Sequence, residues 1–445
     1  QESRGLGDVY KRQRSYKLSK FYEEFQWKSK EDIRAYQLKK LKEIIEYAYE
    51  NVEFYKKLWD ANEVDINITS LNDLKKFPVV DKSMLQSAIL HNEISKEFLS
   101  VHSKKVVWQS TTGSSGSPFR FPVDLESECH KNGVRFRLYR WYFLEDGTRW
   151  AKFWRGTYKK SIIKRIKEFL TGQYNFCIYD PKFPNETRLN NKRIQYFINE
   201  LNRIKPSVID GFPSALSEIS DFILKNDIKL NFKIKSIVTG AEMLDDTTRA
   251  EISKAFNAIV FNRYGGTESS IIAHECKHQA TSDHFLHIQE DRLILESNEH
   301  NELIFTDLTT KSLPFIRYKN GDLGRVDYDY RCKCGRNFGV IKDLHGRVND
   351  VFMLPNGEKI SSHIWQNYMK KCEGIKKYQM IQERKDFVKI NWVKNRENFN
   401  SDDFAHVKEM IYNALKDCKV EWIEVDEIDV GVGGKFRQHI CLVRQ

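Results

Sequence analysis

Proline is scarce in this 445-residue chain, at 9 residues, and glycine is held to 22. Collagen-like and low-complexity chains need far more of both and are excluded. No run of about 18 apolar residues occurs, so no helix is expected to span a membrane. Eight cysteines are few for this length, and no hydrophobic signal segment opens the chain. They read as reduced cytosolic thiols, not as a secreted disulfide framework, which leaves some of them available to a metal. Against these shortages stand 40% apolar and 13% aromatic residues, enough for a large core and two or more domains. The net charge of +11 points to an anionic partner: nucleic acid, an acidic membrane face or phosphorylated ligands. Composition does not choose among them.

Asp8-Val9-Tyr10-Lys11-Arg12-Gln13 resembles the translation of a transposon-end adapter, so residues 1–13 are read as non-native and set aside. From Ser15 to about Asp60 apolar residues such as Leu38, Leu41, Ile44, Ile45 and Ala48 recur at helical spacing. Phe77-Pro78-Val79-Val80-Asp81-Lys82 reads as a short extended piece whose Asp81 caps a following helix. Strands are expected over 106–109, 119–123, 207–210, 236–239, 258–262 and 302–306. Helices are expected over 192–203, 213–226 and 246–256. Their alternation predicts an α/β fold with a substantially parallel sheet. Near Gly346 a turn-rich stretch gives way to about a hundred residues with strands at 376–382, 387–392 and, last, 420–425, and a helix at 402–417. The chain is therefore divided into a large N-terminal domain, 14–345, and a small α+β C-terminal domain, 346–445.

Gln109-Ser110-Thr111-Thr112-Gly113-Ser114-Ser115-Gly116-Ser117-Pro118 follows a strand and packs six hydroxyl side chains and two glycines into ten residues. Glycines let backbone approach an anion, and hydroxyls with exposed N–H groups replace a phosphate's water. It is not a Walker loop, because no Gly-Lys-Ser/Thr stands at the required spacing. Further along come Gly240-Ala241-Glu242, Tyr264-Gly265-Gly266-Thr267-Glu268, Arg317-Tyr318-Lys319-Asn320-Gly321-Asp322, Gly346-Arg347 and Gly434-Lys435. In this order the series resembles the adenylate-forming enzyme superfamily, and within it the phenylacetate-CoA ligase and CapK (capsular polysaccharide) branch. The resemblance runs from about Tyr16 to the C-terminal region, since Tyr47 to Tyr55 and Phe77 to Lys82 also fit that branch.

The resemblance implies a two-step reaction. A carboxylate attacks the α-phosphorus of ATP to give an acyl-adenylate and pyrophosphate, and a nucleophile such as the CoA thiol then takes the acyl group. It implies that Thr111, Thr112, Gly113, Ser114, Ser115 and Gly116 hold the β- and γ-phosphates, with Ser117 standing where many relatives carry lysine. Gly240, Ala241 and Glu242 would form the adenine loop, and Tyr264 would stack on the base. Thr267 would contact the α-phosphate or the substrate carboxylate, and Glu268 would ligate Mg2+. Asp322 would accept from the ribose hydroxyls. Arg347 would contact the nucleotide, with Asn349 at the hinge, and Lys435 would neutralise charge in the first half-reaction.

Cys276, Cys332 and Cys334, together with His278, His284 or His287, offer the four soft ligands of a closed structural zinc site. The resemblance favours His287 as the fourth. Trp154, Arg155 and Phe212 are candidates to line the acyl pocket. Over 159–172, Ile162, Ile163, Ile166, Phe169 and Leu170 lie opposite Lys159, Lys160, Lys164, Arg165 and Lys167. That pattern suits a peripheral contact with an anionic membrane; a helix packed on the domain is the favoured reading. The function expected is activation of a small-molecule carboxylate with ATP and transfer to CoA in the cytoplasm. Transfer to an amine or hydroxyl of a polysaccharide precursor is the alternative. A zinc-knuckle nucleic-acid-binding module would leave the ordered motifs unexplained, so nucleic acid is not expected as a partner.

Overall fold

A computed structural model describes residues 2–98, 106–111, 119–145, 147–180, 182–187, 189–347, 352–360, 362–369, 371–428 and 436–443. Three helices open the chain, α1 (Glu2–Phe25), α2 (Lys30–Asn51) and α3 (Glu53–Ala61), followed by α4 (Lys82–Leu90). Then come β1 (Val106–Ser110), β2 (Arg120–Asp124), α5 (Leu125–Trp141), β3 (Trp150–Arg155), α6 (Ile162–Thr171), β4 (Gln173–Tyr179), α7 (Pro184–Thr187) and α8 (Asn191–Ile204). Strand and helix alternate through β5 (Val208–Gly211), α9 (Pro213–Lys225), β6 (Ser236–Gly240), α10 (Asp246–Phe256) and β7 (Ile259–Gly266). Six strands follow: β8 (Ser270–His274), β9 (Leu286–Ile288), β10 (Leu293–Ser297), β11 (Glu302–Asp307), β12 (Tyr318–Asp327) and β13 (Val340–Arg347). The C-terminal part holds β14 (Phe352–Met353), β15 (Lys359–Ile360), α11 (Ser362–Met369), β16 (Ile375–Arg384), β17 (Phe387–Lys394), α12 (Ser401–Leu415), β18 (Lys419–Glu424) and β19 (His439–Cys441).

Eleven strands form one sheet in the order β10-β11-β12-β13-β9-β8-β7-β6-β5-β3-β4. Strands β4, β3, β5, β6 and β7 are parallel to one another, and the remainder pair antiparallel. The expectation of a substantially parallel sheet therefore holds for one half only. Where the strands are parallel both faces are covered, so neighbouring residues enter different cores. Ile209, Ile237 and Val260 pack under α8, α9 and α10, while Val208, Val238 and Phe261 face α1 and α5. Most helices start at side-chain caps. Asp81 accepts from Met84 N at 3.0 Å, as its position in the sequence predicts, and Asp245 accepts from Thr248 N at 3.0 Å.

Two local expectations change. Strands β1 and β2 form a separate antiparallel hairpin rather than joining the large sheet. The apolar side of α6 is not packed on the domain: Ile162, Ile163, Phe169 and Leu170 are 75–78% exposed, and Glu168 is its buried residue.

The C-terminal part is a small α+β unit with a four-stranded sheet in the order β18-β17-β16-β19 and its own core around Trp365, Met380, Ile390 and Ile411. Strand β19 lies beyond 420–425, the segment expected to be last, and pairs parallel with β16. Strand β13 belongs to the large sheet and ends at Arg347, two residues past the division expected at 345.

Candidate active site

Strands β5, β6 and β7 run parallel, so their C-terminal ends open along one edge of the sheet, where α/β folds place ligands. Gly211-Phe212, Gly240-Ala241-Glu242 and Tyr264-Gly265-Gly266-Thr267-Glu268 all lie at this edge. Glycine at 265 is obligatory: a Cβ there would sit 1.9 Å from Ser270 O and 2.9 Å from Ile271 Cα, inside the partner strand β8. Glycine at 240 serves packing, because a Cβ would meet Arg263 Cγ at 2.9 Å. Ala241 takes the left-handed backbone instead, at φ 66°.

The turn after β7 is pinned from beneath. Buried Lys131 donates its ammonium to Glu268 O at 2.8 Å, and Arg292 donates to Ser269 O and, at 3.0 Å, to Ile271 O. Arg292 in turn pairs with buried Asp307. Burial lowers the Lys131 pKa from its ordinary value. Thr267 is left exposed and Glu268 half-buried on the open side. The Glu268 carboxylate offers the kind of oxygen donor that Mg2+ takes.

Tyr264 donates its hydroxyl to Asp322 Oδ2 at 2.8 Å, and Asn320 Nδ2 donates to that same carboxylate oxygen at 2.9 Å and to the tyrosine oxygen at 2.7 Å. Residues 58 positions apart in the chain thus form one polar group, and Asn320 was not singled out in the sequence. In the ladder between β12 and β13, Asp322 stands directly opposite Arg347. Glu242 accepts from Ser214 N at 3.0 Å, capping α9, and from Phe436 N at 3.1 Å. Phe436 directly follows Lys435, so this bond brings the C-terminal segment to the loop after β6.

Trp154 and Phe212 stand together with ring centroids 4.4 Å apart, while Arg155 is exposed at the end of β3. Arg263 lies 5.2 Å from the Trp154 ring and forms a two-pronged ion pair with buried Asp210, at 2.7 and 3.3 Å. Neither Arg263 nor Asp210 was anticipated; the signal was a carboxylate inside the apolar run Val208-Ile209-Asp210. The Trp154 indole N–H is buried and has no partner among the described residues. Thr111 closes the β1–β2 hairpin, its N–H donating to Phe119 O at 2.9 Å and its hydroxyl accepting from Phe119 N at 3.0 Å. Thr112, Gly113, Ser114, Ser115, Gly116, Ser117, Asn349 and Lys435 lie outside the described residues, as does the side chain of Arg347.

A second cluster joins the end of β8, strand β9 and the segment between β12 and β13. The ligand atoms of Cys276, His287, Cys332 and Cys334 all lie within 4.8 Å of one another. Cys276 Sγ and Cys332 Sγ are 3.7 Å apart, and Cys334 Sγ is 3.4 Å from His287 Nε2. Tetrahedral zinc with Zn–S of about 2.3 Å separates its sulfur ligands by about 3.8 Å, so this three-sulfur, one-nitrogen set fits zinc. His287 Nδ1 lies 3.3 Å from Phe338 O, a partner that orients the ring. Hydrogen bonding from Cys276 and Cys332 holds the Cys334 thiol far below its usual range. His284 instead lies 3.9 Å from Glu275.

Residues 352–441 match the family described as CapK C-terminal domain. Protein CapK of Staphylococcus aureus is 24% identical over 359 residues, covering 77% of this chain and 74% of that protein. The phenylacetate-coenzyme A ligase of Thermus thermophilus is 21% identical over 379 residues, covering 80% and 79%. The fold is that of a 2-hydroxyisobutyryl-CoA ligase solved in the postadenylation state with an acyl-AMP, at a TM-score of 0.72 and 16% identity over 93% of this chain and 90% of that one. The relatives are those that the motif series implied, and the fold is that of the adenylate-forming ligases.

Proposed function

We propose that the chain is an AMP-forming carboxylate ligase of the CapK and phenylacetate-CoA ligase branch, which makes an acyl-adenylate and passes the acyl group to CoA. The observation that carries this reading is the Tyr264–Asn320–Asp322 group beside the Gly240–Glu242 loop, with Phe436 hydrogen-bonded to Glu242. Tyr264, its hydroxyl fixed by Asp322, presents a ring to the adenine. A carboxylate accepts about four hydrogen bonds, so Asp322 holds its protein partners and ribose hydroxyls together. Thr111 to Gly116 bind the β- and γ-phosphates, and Thr267 orients the acyl carboxylate against the α-phosphorus. The carboxylate oxygen forms a bond to phosphorus as the bond to pyrophosphate breaks. In the second step the CoA sulfur bonds to the acyl carbon and AMP leaves. Mg2+, held through Glu268, would offset charge on the phosphates, and Lys435 supplies positive charge at the reacting oxygens.

Residues 14–345 and 346–445 act as two domains, the smaller one turning between the half-reactions. Trp154, Phe212 and the Arg263–Asp210 pair line the acyl pocket. Cys276, His287, Cys332 and Cys334 hold a structural zinc ion. ATP–pyrophosphate exchange measured across aryl, fatty and amino acids tests the activity; exchange with none of them overturns it. Asp322→Ala is expected to raise the KM for ATP about tenfold, while Tyr264→Phe, which keeps the ring, costs about threefold. Equal ATP dependence in both variants and the wild type would remove the assignment.

Transfer to an amine or hydroxyl acceptor in polysaccharide synthesis is a second reading, favoured by the CapK match over residues 352–441. Adenylate that persists with CoA but turns over with such an acceptor would select it.

A further inference from the structure

Helix α6 inverts the usual rule for an amphipathic helix. Ile162, Ile163, Ile166, Phe169 and Leu170 are 54–78% exposed, whereas Glu168 is buried, pairs with Lys160 and accepts from Asn175 N. At about 100° per residue the five apolar side chains fill one arc of about 120°. Arg165 flanks one side of that arc and Lys167 the other, with Lys164 further round, and all three are exposed. Glu168 lies opposite and fastens the helix to β4. The one acidic group of the helix is thus turned inward, and the outward face carries apolar residues between cations.

We infer that α6 is an interfacial anchor that lies in the plane of an anionic lipid bilayer, with its five apolar side chains among the acyl chains and Arg165 and Lys167 at the headgroups. Ten residues rise only about 15 Å, too short to cross, so the helix lies flat. No described helix is long and apolar enough to span a membrane. Charge selects the occupant. A second copy docked on the same face would bring two sets of flanking cations together, whereas phosphate headgroups neutralise them. Exposed Tyr196 on α8 lies within electrostatic reach of Arg165 and would sit at headgroup depth. The nearby carboxylate of Glu200 is already bound by Arg203, at 2.9 and 2.7 Å.

The test is sedimentation of the full chain with phosphatidylcholine vesicles, with and without about 30% phosphatidylglycerol. Wild type is expected to bind the anionic vesicles, more weakly as salt rises. Ile163→Asp/Phe169→Asp is expected to lose at least about tenfold in partitioning, and Arg165→Gln/Lys167→Gln about tenfold on anionic vesicles only. Phe169→Trp should shift its fluorescence to the blue on binding. All these positions are exposed, so unchanged thermal melting separates lost binding from lost folding. Failure of wild type to bind anionic vesicles overturns the proposal, as does equal binding of the aspartate variant. A lipid-free dimer that the aspartate variant converts to monomer, or a requirement for an acidic protein instead of lipid, overturns it too.

Discussion

Lys435→Ala is expected to lower ATP–pyrophosphate exchange about 10³-fold while slowing transfer from a preformed adenylate less than about threefold. The asymmetry follows from where charge gathers. Attack of a carboxylate on the α-phosphorus brings two anions together and builds charge on the non-bridging oxygens, so one ammonium placed there acts mainly on the first step. The contact that supports this position is the bond from Phe436 N to Glu242, with the Lys377 ammonium 4.5 Å from the Phe436 ring. In the sequence Gly433 and Gly434 precede Lys435, a pair that suits the withdrawal the proposed two-step reaction requires. Lys435→Arg keeps the charge and should recover part of the exchange, whereas Lys377→Ala, which removes the contact with Phe436 and the exposed pair with Glu218, should leave both half-reactions within about threefold of wild type. Exchange that is unchanged in Lys435→Ala would reject the assignment.

The second large effect concerns stability. Purified chain is expected to carry about one zinc per molecule, and Cys332→Ser/Cys334→Ser to carry less than about half an equivalent and to melt at least about 5 °C lower. The stretch from Cys276 to His287 meets the distant Cys332 and Cys334 at this cluster, and its donors are buried apart from the half-buried Cys334. Without an ion, the sulfurs and the imidazole have chiefly one another as partners, as in Cys276 with Cys332 and Cys334 with His287. With it, their charge is neutralised and the segment between β12 and β13 is held against β9. Because the cluster lies away from Tyr264 and Asp322, the surviving folded fraction should keep its KM for ATP. A zinc-free wild type that melts as high as the zinc-loaded protein would exclude the structural role.

What the sequence disclosed depended on how local each signal was. Helix α10 matches its expected bounds at both ends because Asp245 caps one and Asn257, at φ 47°, stops the other. Strands β5, β6 and β7 were visible as short apolar runs because both faces are buried. Strands β3 and β4 were not, since Lys152, Arg155, Gln173 and Asn175 interrupt them at the sheet margin. The pairing of β1 with β2 was hidden for another reason: both segments read as strands, but nothing in either names its partner. Within the site, ordered motifs brought Tyr264, Glu268 and Asp322 into view. Lys131, which supports Glu268 from 137 positions away, and Arg263, which meets Asp210 from 53, depend on tertiary contacts that no local pattern encodes. The outward face of α6 shows the converse: periodicity found the helix but not which side faces the solvent.

Lys376 and Lys377 of β16 pair with Asp221 and Glu218 of α9 at 3.2 and 3.4 Å. All four side chains are partly exposed, so each pair contributes on the order of 0–1 kcal/mol and weakens with salt. Glu242 adds a charged hydrogen bond at the same place, because it caps α9 and holds Phe436 together. Helix α9 is therefore a berth at which charged groups hold the C-terminal part. Contacts of that kind part at small energetic cost. On the proposed reaction, the occupancy of the berth would follow ionic strength and the charge of the nucleotide beside it, so the departure of pyrophosphate would itself change how long the C-terminal domain stays moored.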